Sequence, residues 1–294
     1  MTDITTLNDM QAARRARLRL LSTSVRYVLL FAVGLVMLYP LIWLVGASFK
    51  TNSEIFSGAG FIPENPTLDG YIRGWETSTP YTFGRFFWNS FLIILPKVIG
   101  TAISCTMAAY AFARFDFPLK KILFGSVIAI LLLPNVVTRI PQYILFRDLG
   151  WLDSFLPLWV PSAFAGDAFF VFMLVQFLRS LPSDMEEAAR VDGANSLQTL
   201  VYIVVPMLAP ALISVCLFQF MWTMNDFLGP LIYLSSVDKY PVSLALKLSI
   251  DTTEAFEWNR ILAMSVLTIA PALIVFFAAQ RYFIEGISSG GVKG

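Results

Sequence analysis

Six stretches of about 20 or more mostly apolar residues follow one another along this chain, and each is long enough to dictate the solvent in which it folds. At a rise of 1.5 Å per residue, about 20 residues of helix cross a hydrocarbon layer about 30 Å thick. The stretches run over 27–49, 87–113, 122–143, 156–178, 198–232 and 259–280. The expected fold class is an all-α membrane protein with six transmembrane helices. The first stretch is too long for the apolar core of a signal peptide, and no small-residue cleavage pattern closes it, so it is expected to persist as an anchor.

Charge orients these spans. Arg14, Arg15, Arg17, Arg19 and Arg26 precede the first span, and Arg114, Lys120 and Lys121 fill the short link after the second. With Arg179, Arg190, Arg281 and Lys293, twelve of the 21 basic residues fall in segments that the positive-inside bias assigns to the cytoplasm. Both termini are therefore expected inside. The organisation expected is a basic cytoplasmic arm over 1–26, one transmembrane domain over 27–284 and a short cytoplasmic tail over 285–294. The arm reads first as a solvated topology signal and second as a partner contact.

Composition excludes several functions. Hydrophobic residues make up 57% and charged residues 14%, and 21 basic residues against 20 acidic leave no electrostatic footprint for nucleic acid. There is no histidine, which removes the commonest general base and metal ligand. No G-x-x-x-x-G-K-[ST], H-E-x-x-H or G-x-S-x-G occurs. The chain holds no ATP-binding motif of its own, no metal site is expected, and an intramembrane enzyme is disfavoured. A stand-alone carrier would be expected to show inverted internal repeats, and none is evident. Cys105 and Cys216 lie in apolar runs and read as small hydrophobes.

The polar segment 180–197, between the fourth and fifth stretches, is the most informative. Ser183 and Glu186 have the S-x-x-E spacing of a capping box. Asp184, Glu186 and Glu187 crowd a first turn, where the helix dipole favours negative charge. Gly193 stands where a left-handed residue ends a helix. A helix of two to three turns follows, with Ala188 and Ala189 small enough for close approach. One reading is a docking element for another protein; the other is an ordinary interfacial helix.

Glu187-Ala188-Ala189, Gly193 and then Ile203-Val204-Val205-Pro206 resemble the EAA signature of permease subunits of binding-protein-dependent ABC importers. Asn89-Ser90, the run Ala108 to Arg114, Ile140-Pro141, Leu149-Gly150, Phe227 to Leu231 and the tail Gly290 to Gly294 are similar to the carbohydrate branch of that family, of the maltose-importer type. Met224 departs from it, because the branch usually has tryptophan there. The resemblance implies a non-catalytic membrane subunit in the bacterial inner membrane that moves a sugar or oligosaccharide inward. It implies a second permease subunit, a homodimeric ATPase that binds ATP and magnesium, and a periplasmic solute-binding protein. It also implies that Glu186, Glu187, Ala188, Ala189, Asp192 and Gly193 form a cytoplasmic coupling helix against the ATPase.

Ionisable groups at membrane depth normally face protein or water. Lys97, Arg139, Asp167 and Asp226 are such groups, and Asn135, Gln142, Gln219 and Asn225 accompany them. As a path, Asn135, Arg139, Asp167, Gln219, Asn225 and Asp226 would offer a sugar its donors and acceptors. As structure, they would pair helices, and Lys97 and Arg139 would snorkel to the outer boundary. Arg139 also keeps open an anionic sugar or polyol phosphate as substrate. Pro96, Pro134 and Pro141 are expected to interrupt helices at membrane depth.

Overall fold

The computed structural model describes residues 2–57, 60–77, 79–251 and 257–290, with side chains for all of these except 2–18, 135, 249–251 and 281–290. Every regular element among the described residues is helical. Arg14, Arg15 and Arg17 carry side chains outside the described set, and Gly291 to Gly294 of the tail motif lie outside it altogether. The chain forms two compact units, Met1–Ile72 with Glu257–Val266, and Arg73–Phe256 with Leu267–Gly294.

In the first unit, helix α1 (Thr2–Ala47) carries the first apolar stretch, and its apolar side chains are exposed from Leu20 to Ile42, with Ala47 buried at its end. Two short helices follow, α2 (Asn52–Ser57) and α3 (Asp69–Glu76). Asn259, in the first turn of α15 (Trp258–Gly290), donates its side-chain amide to Asp69 Oδ2 and its backbone N–H to Asn52 Oδ1. Gly46 admits the chain at Phe61: a Cβ there would lie 1.8 Å from the Phe61 carbonyl oxygen.

The second unit is built on α4 (Phe83–Arg114), a 32-residue helix that runs unbroken through Pro96. Its C-terminal half packs with α8 (Ala168–Ser180) and α12 (Ala209–Met224) around Cys105, Ala109, Phe170, Leu174, Leu178, Val204 and Val215. Cys105 and Cys216 are free thiols. At the opposite end, Asn89 donates to the carbonyls of Asp238 and Tyr240, and the Ser90 hydroxyl accepts from the Val242 N–H, so the loop before α14 (Val242–Asp251) is tied to α4.

The third and fifth stretches are not straight spans. The third is α5 (Lys120–Leu132) and α6 (Asn135–Asp148), bent by 108°. Pro134 supplies no N–H and forces Leu133 into extended backbone, which ends α5. Pro96 and Pro141 interrupt nothing, since each lies inside a continuous helix. The fifth begins with α10 (Ser196–Thr199), passes through a π turn at Leu200–Val204 and α11 (Val205–Met207), and bends by 79° into α12. Pro206 and Pro210 flank that bend. It stops at Met224, short of the expected residue 232, and α13 (Leu228–Tyr233) is a separate element. The fourth stretch is α7 (Leu156–Trp159), a 3-10 turn at Pro161–Phe164 and α8, with Ala165 left-handed at the break. Among the described residues, four helical segments are long and apolar enough to cross a membrane, or up to six if each bent pair is one span.

Candidate functional site

The broken fourth stretch positions the first site. Where the helix unwinds at Ala165 and Gly166, Asp167 begins α8 without capping it, and its carboxylate turns away to accept hydrogen bonds from Thr101 Oγ1 and Gln219 Nε2, both at 3.1 Å. Thr101 and Gln219 are buried. The gap between α12 and α13 positions a second carboxylate: Asp226 Oδ1 accepts the Gly229 N–H at 3.0 Å, and its backbone carbonyl accepts the Ser243 hydroxyl. Unwound backbone at this depth is sustained by such local hydrogen bonds and by an adjoining cavity.

That cavity measures about 420 Å³. Arg139, Asp167, Gln219 and Asp226 all line it, as do Lys97 and Gln142. Lys97 and Arg139 thus sit on the cavity. Asn225 does not join them: it lies on an apolar groove beside Met221 and Phe276, and its amide donates to the Met221 carbonyl. Asn135 opens α6, with its side chain outside the described residues. Met224 is buried against Ile94 and Phe220, while Trp222, two residues earlier, lines the cavity. Two further lining groups were not singled out from sequence, Trp222 and Tyr233. Tyr233 ends α13, two residues past the Phe227 to Leu231 run, and no sequence signal marked it.

The second site is helix α9 (Asp184–Val191). The expected capping box at Ser183 does not form: the Ser183 hydroxyl donates to Glu187 Oε1 instead, and Glu186 turns inward. Glu186 is 2% exposed and pairs with Arg114, whose Nε lies 2.7 Å from Oε1 and whose Nη2 donates to the Leu181 carbonyl. Arg114 ends α4, so one buried ion pair fastens α9 to the longest helix of this unit. The capping box of the segment belongs instead to Asn195 and Gln198 at the start of α10. The other end of α9 follows expectation: Gly193 has φ +86°, and the N–H groups of Gly193 and Ala194 bond the carbonyls of Arg190 and Ala189, the pattern of a Schellman cap. Glu187, Ala188, Asp192 and Gly193 are exposed, with Met185 and Val191 uncovered beside them.

At the end of the unit opposite α9's anchor, Asp153 accepts Lys239 Nζ at 2.8 Å, the Ser236 hydroxyl, and the N–H groups of Ser235 and Ser236. The Lys239 bond, then the Ser236 hydroxyl, hold this carboxyl well below the usual carboxylate range.

Residues 100–289 match the family model described as binding-protein-dependent transport system inner membrane component. The chain belongs to that family. The permease is 31% identical to an arabinooligosaccharides transport system permease protein of Halalkalibacterium halodurans, covering 89% of this chain and 93% of that one. It is 26% identical to a trehalose/maltose transport system permease protein of Thermococcus litoralis, over 89% and 94% of the two chains. Its fold is similar to a chain in the crystal structure of a bacterial ABC transporter involved in the import of the acidic polysaccharide alginate. The TM-score there is 0.78 at 26% identity, over 88% of this chain and 95% of that one.

Proposed function

We propose that this permease is one of two membrane subunits of an ATP-driven importer that carries a sugar or oligosaccharide from a periplasmic binding protein into the cytoplasm. One observation carries the reading: α4 serves both sites, lining the polar cavity through Lys97 and holding the exposed helix α9 through Arg114. A helix so attached transmits movement of α9 to the cavity wall. The names of the relatives, which transport arabinooligosaccharides and trehalose or maltose, support sugar as the substrate class.

In this reading both termini and α9 face the cytoplasm of a cell bounded by an inner membrane, with residues 1–26 as arm, 27–284 as transmembrane domain, 180–197 as coupling loop and 285–294 as tail. Glu187, Ala188, Ala189, Asp192 and Gly193 meet a homodimeric ATPase that binds ATP and magnesium, and Glu186 holds the helix that presents them. Arg139, Asp167, Gln219 and Asp226 contact the sugar, with hydroxyl groups exchanging hydrogen bonds with carboxylate, amide and guanidinium. The second permease subunit completes the path.

A single cysteine at Ala188, with Cys105 and Cys216 changed to serine, tests the arrangement. In membranes holding the complete importer, cross-linking is expected to join this chain to the ATPase subunit, and to do so less when ATP is withheld. A product with a periplasmic protein instead, or none in an active complex, would contradict it.

A further inference from the structure

We propose that the cavity beside α4 binds an acidic sugar, a uronate or uronate-containing oligosaccharide, with Arg139 and Lys97 receiving its carboxylate. The proposal rests on the importer reading above and specifies its substrate. The four charges lining the cavity sum to zero, but they are not equivalently engaged. Both carboxylates are turned to their own chain, Asp167 through Thr101 and Gln219, Asp226 through the Gly229 N–H. The cations are left over. Among the described residues, Lys97 makes no hydrogen bond or ion pair and Arg139 has no carboxylate within 4 Å. A cation without a counter-charge at membrane depth is costly to keep and marks a ligand or a path.

An independent observation points the same way. The Tyr233 hydroxyl is buried and has no hydrogen-bond partner, although its residue is only 4% exposed and lines the cavity. Arg139 approaches it, but a guanidinium only donates, and Asp226 acts on it through space, so neither gives the Tyr233 O–H an acceptor. A buried hydroxyl without a partner calls for one. A carboxylate beside Arg139 accepts from its fork and from the Tyr233 O–H, and the Lys97 ammonium on the same cavity adds a second positive charge. The sugar's hydroxyls then donate to the lone pairs that Asp167 and Asp226 keep, and Trp222 offers an apolar face to the ring. At about 420 Å³ the cavity lies in the range of small-molecule sites, about 300 to 1,000 Å³.

The test is calorimetric binding to the assembled importer in lipid nanodiscs without the binding protein, so that selectivity belongs to the membrane subunits. The probes are digalacturonate, neutral galactobiose and galactose 1-phosphate. Digalacturonate is expected to bind best, with Arg139→Gln and Lys97→Gln each weakening it about tenfold or more. Tyr233→Phe should weaken it severalfold, and Arg139→Lys should keep part of the preference, which separates lost charge from lost fold. Galactobiose, which has no carboxylate, should lose much less than digalacturonate on each of the four changes. Galactobiose binding as well as digalacturonate, with Arg139→Gln altering neither, would overturn the acidic-sugar assignment and leave the sugar importer standing. Tightest binding of galactose 1-phosphate would overturn the carboxylate in favour of a phosphate. Binding of none of the three, together with no ATP-driven uptake of any sugar by the same particles, would overturn the importer reading as well.

Discussion

Arg114 and Glu186 carry more of this molecule's mechanics than their sequence context suggests. Their side chains are 13% and 3% exposed, and losing one partner of a buried pair leaves the other charge uncompensated, at about 3–5 kcal/mol. Arg114→Ala and Glu186→Ala are each expected to lower the thermal stability of the detergent-solubilised chain and to weaken retention of the ATPase subunit. The double variant should fall short of additivity by about 0.5–3 kcal/mol. Additive losses in a double-mutant cycle would mean the pair does not fasten α9. Asp153 gives a pH-dependent counterpart. A carboxylate whose folded-state pKa is depressed adds stability above its unfolded value, about 3.9, and that contribution disappears as pH falls through the folded-state value. Melting of the wild type and Asp153→Asn should therefore differ by the same margin at pH 7 and pH 5, narrowing only below about pH 4. A gap that closes already between pH 7 and pH 5 would contradict the assignment. Residue chemistry was only partly legible from sequence. An intramembrane charge announces itself, which is why Lys97, Arg139, Asp167 and Asp226 could be named. The partner of Glu186 lies 72 positions away, and its sidedness depended on a helix start that Ser183 did not provide.

At the scale of elements, local rules succeeded where the deciding atoms are neighbours in sequence and failed where tertiary context intervened. Gly193 ends α9 in left-handed backbone as its position demanded. Because a Cβ there would meet nothing within 4 Å, Gly193→Ala isolates the conformational cost, about 1–2 kcal/mol. It is expected to loosen the end of α9 and reduce sugar-stimulated ATP hydrolysis by the assembled importer, with yield and membrane insertion unchanged. Unaltered stimulation would mean the end of α9 does not matter for coupling. The bends were not legible, because hydropathy averages over a window and does not register direction. Three prolines looked alike in sequence. Only Pro134 breaks a helix, since at Pro96 and Pro141 the surrounding turns carry the helix through the missing N–H. Likewise, nothing local distinguished the unwound residues at Ala165 to Asp167, which deliver Asp167 to the cavity, from the apolar run around them.

At the scale of the whole molecule, membrane character was the most secure reading, because it rests on length and composition, which no tertiary contact alters. The apolar residues of α1 from Leu20 to Ile42 and Met185 and Val191 on α9 are exposed, and in the proposed function lipid covers the first and the ATPase subunit the second. The central claim is that this permease moves sugar only as part of an ATP-driven assembly. Uptake of a radiolabelled sugar substrate into proteoliposomes tests it directly, comparing this chain alone with the complete importer, the binding protein outside and ATP inside. ATP-dependent accumulation is expected of the complete assembly, with neither uptake nor ATP hydrolysis by the chain alone; accumulation by the chain alone, or by the assembly without ATP, would overturn the importer reading.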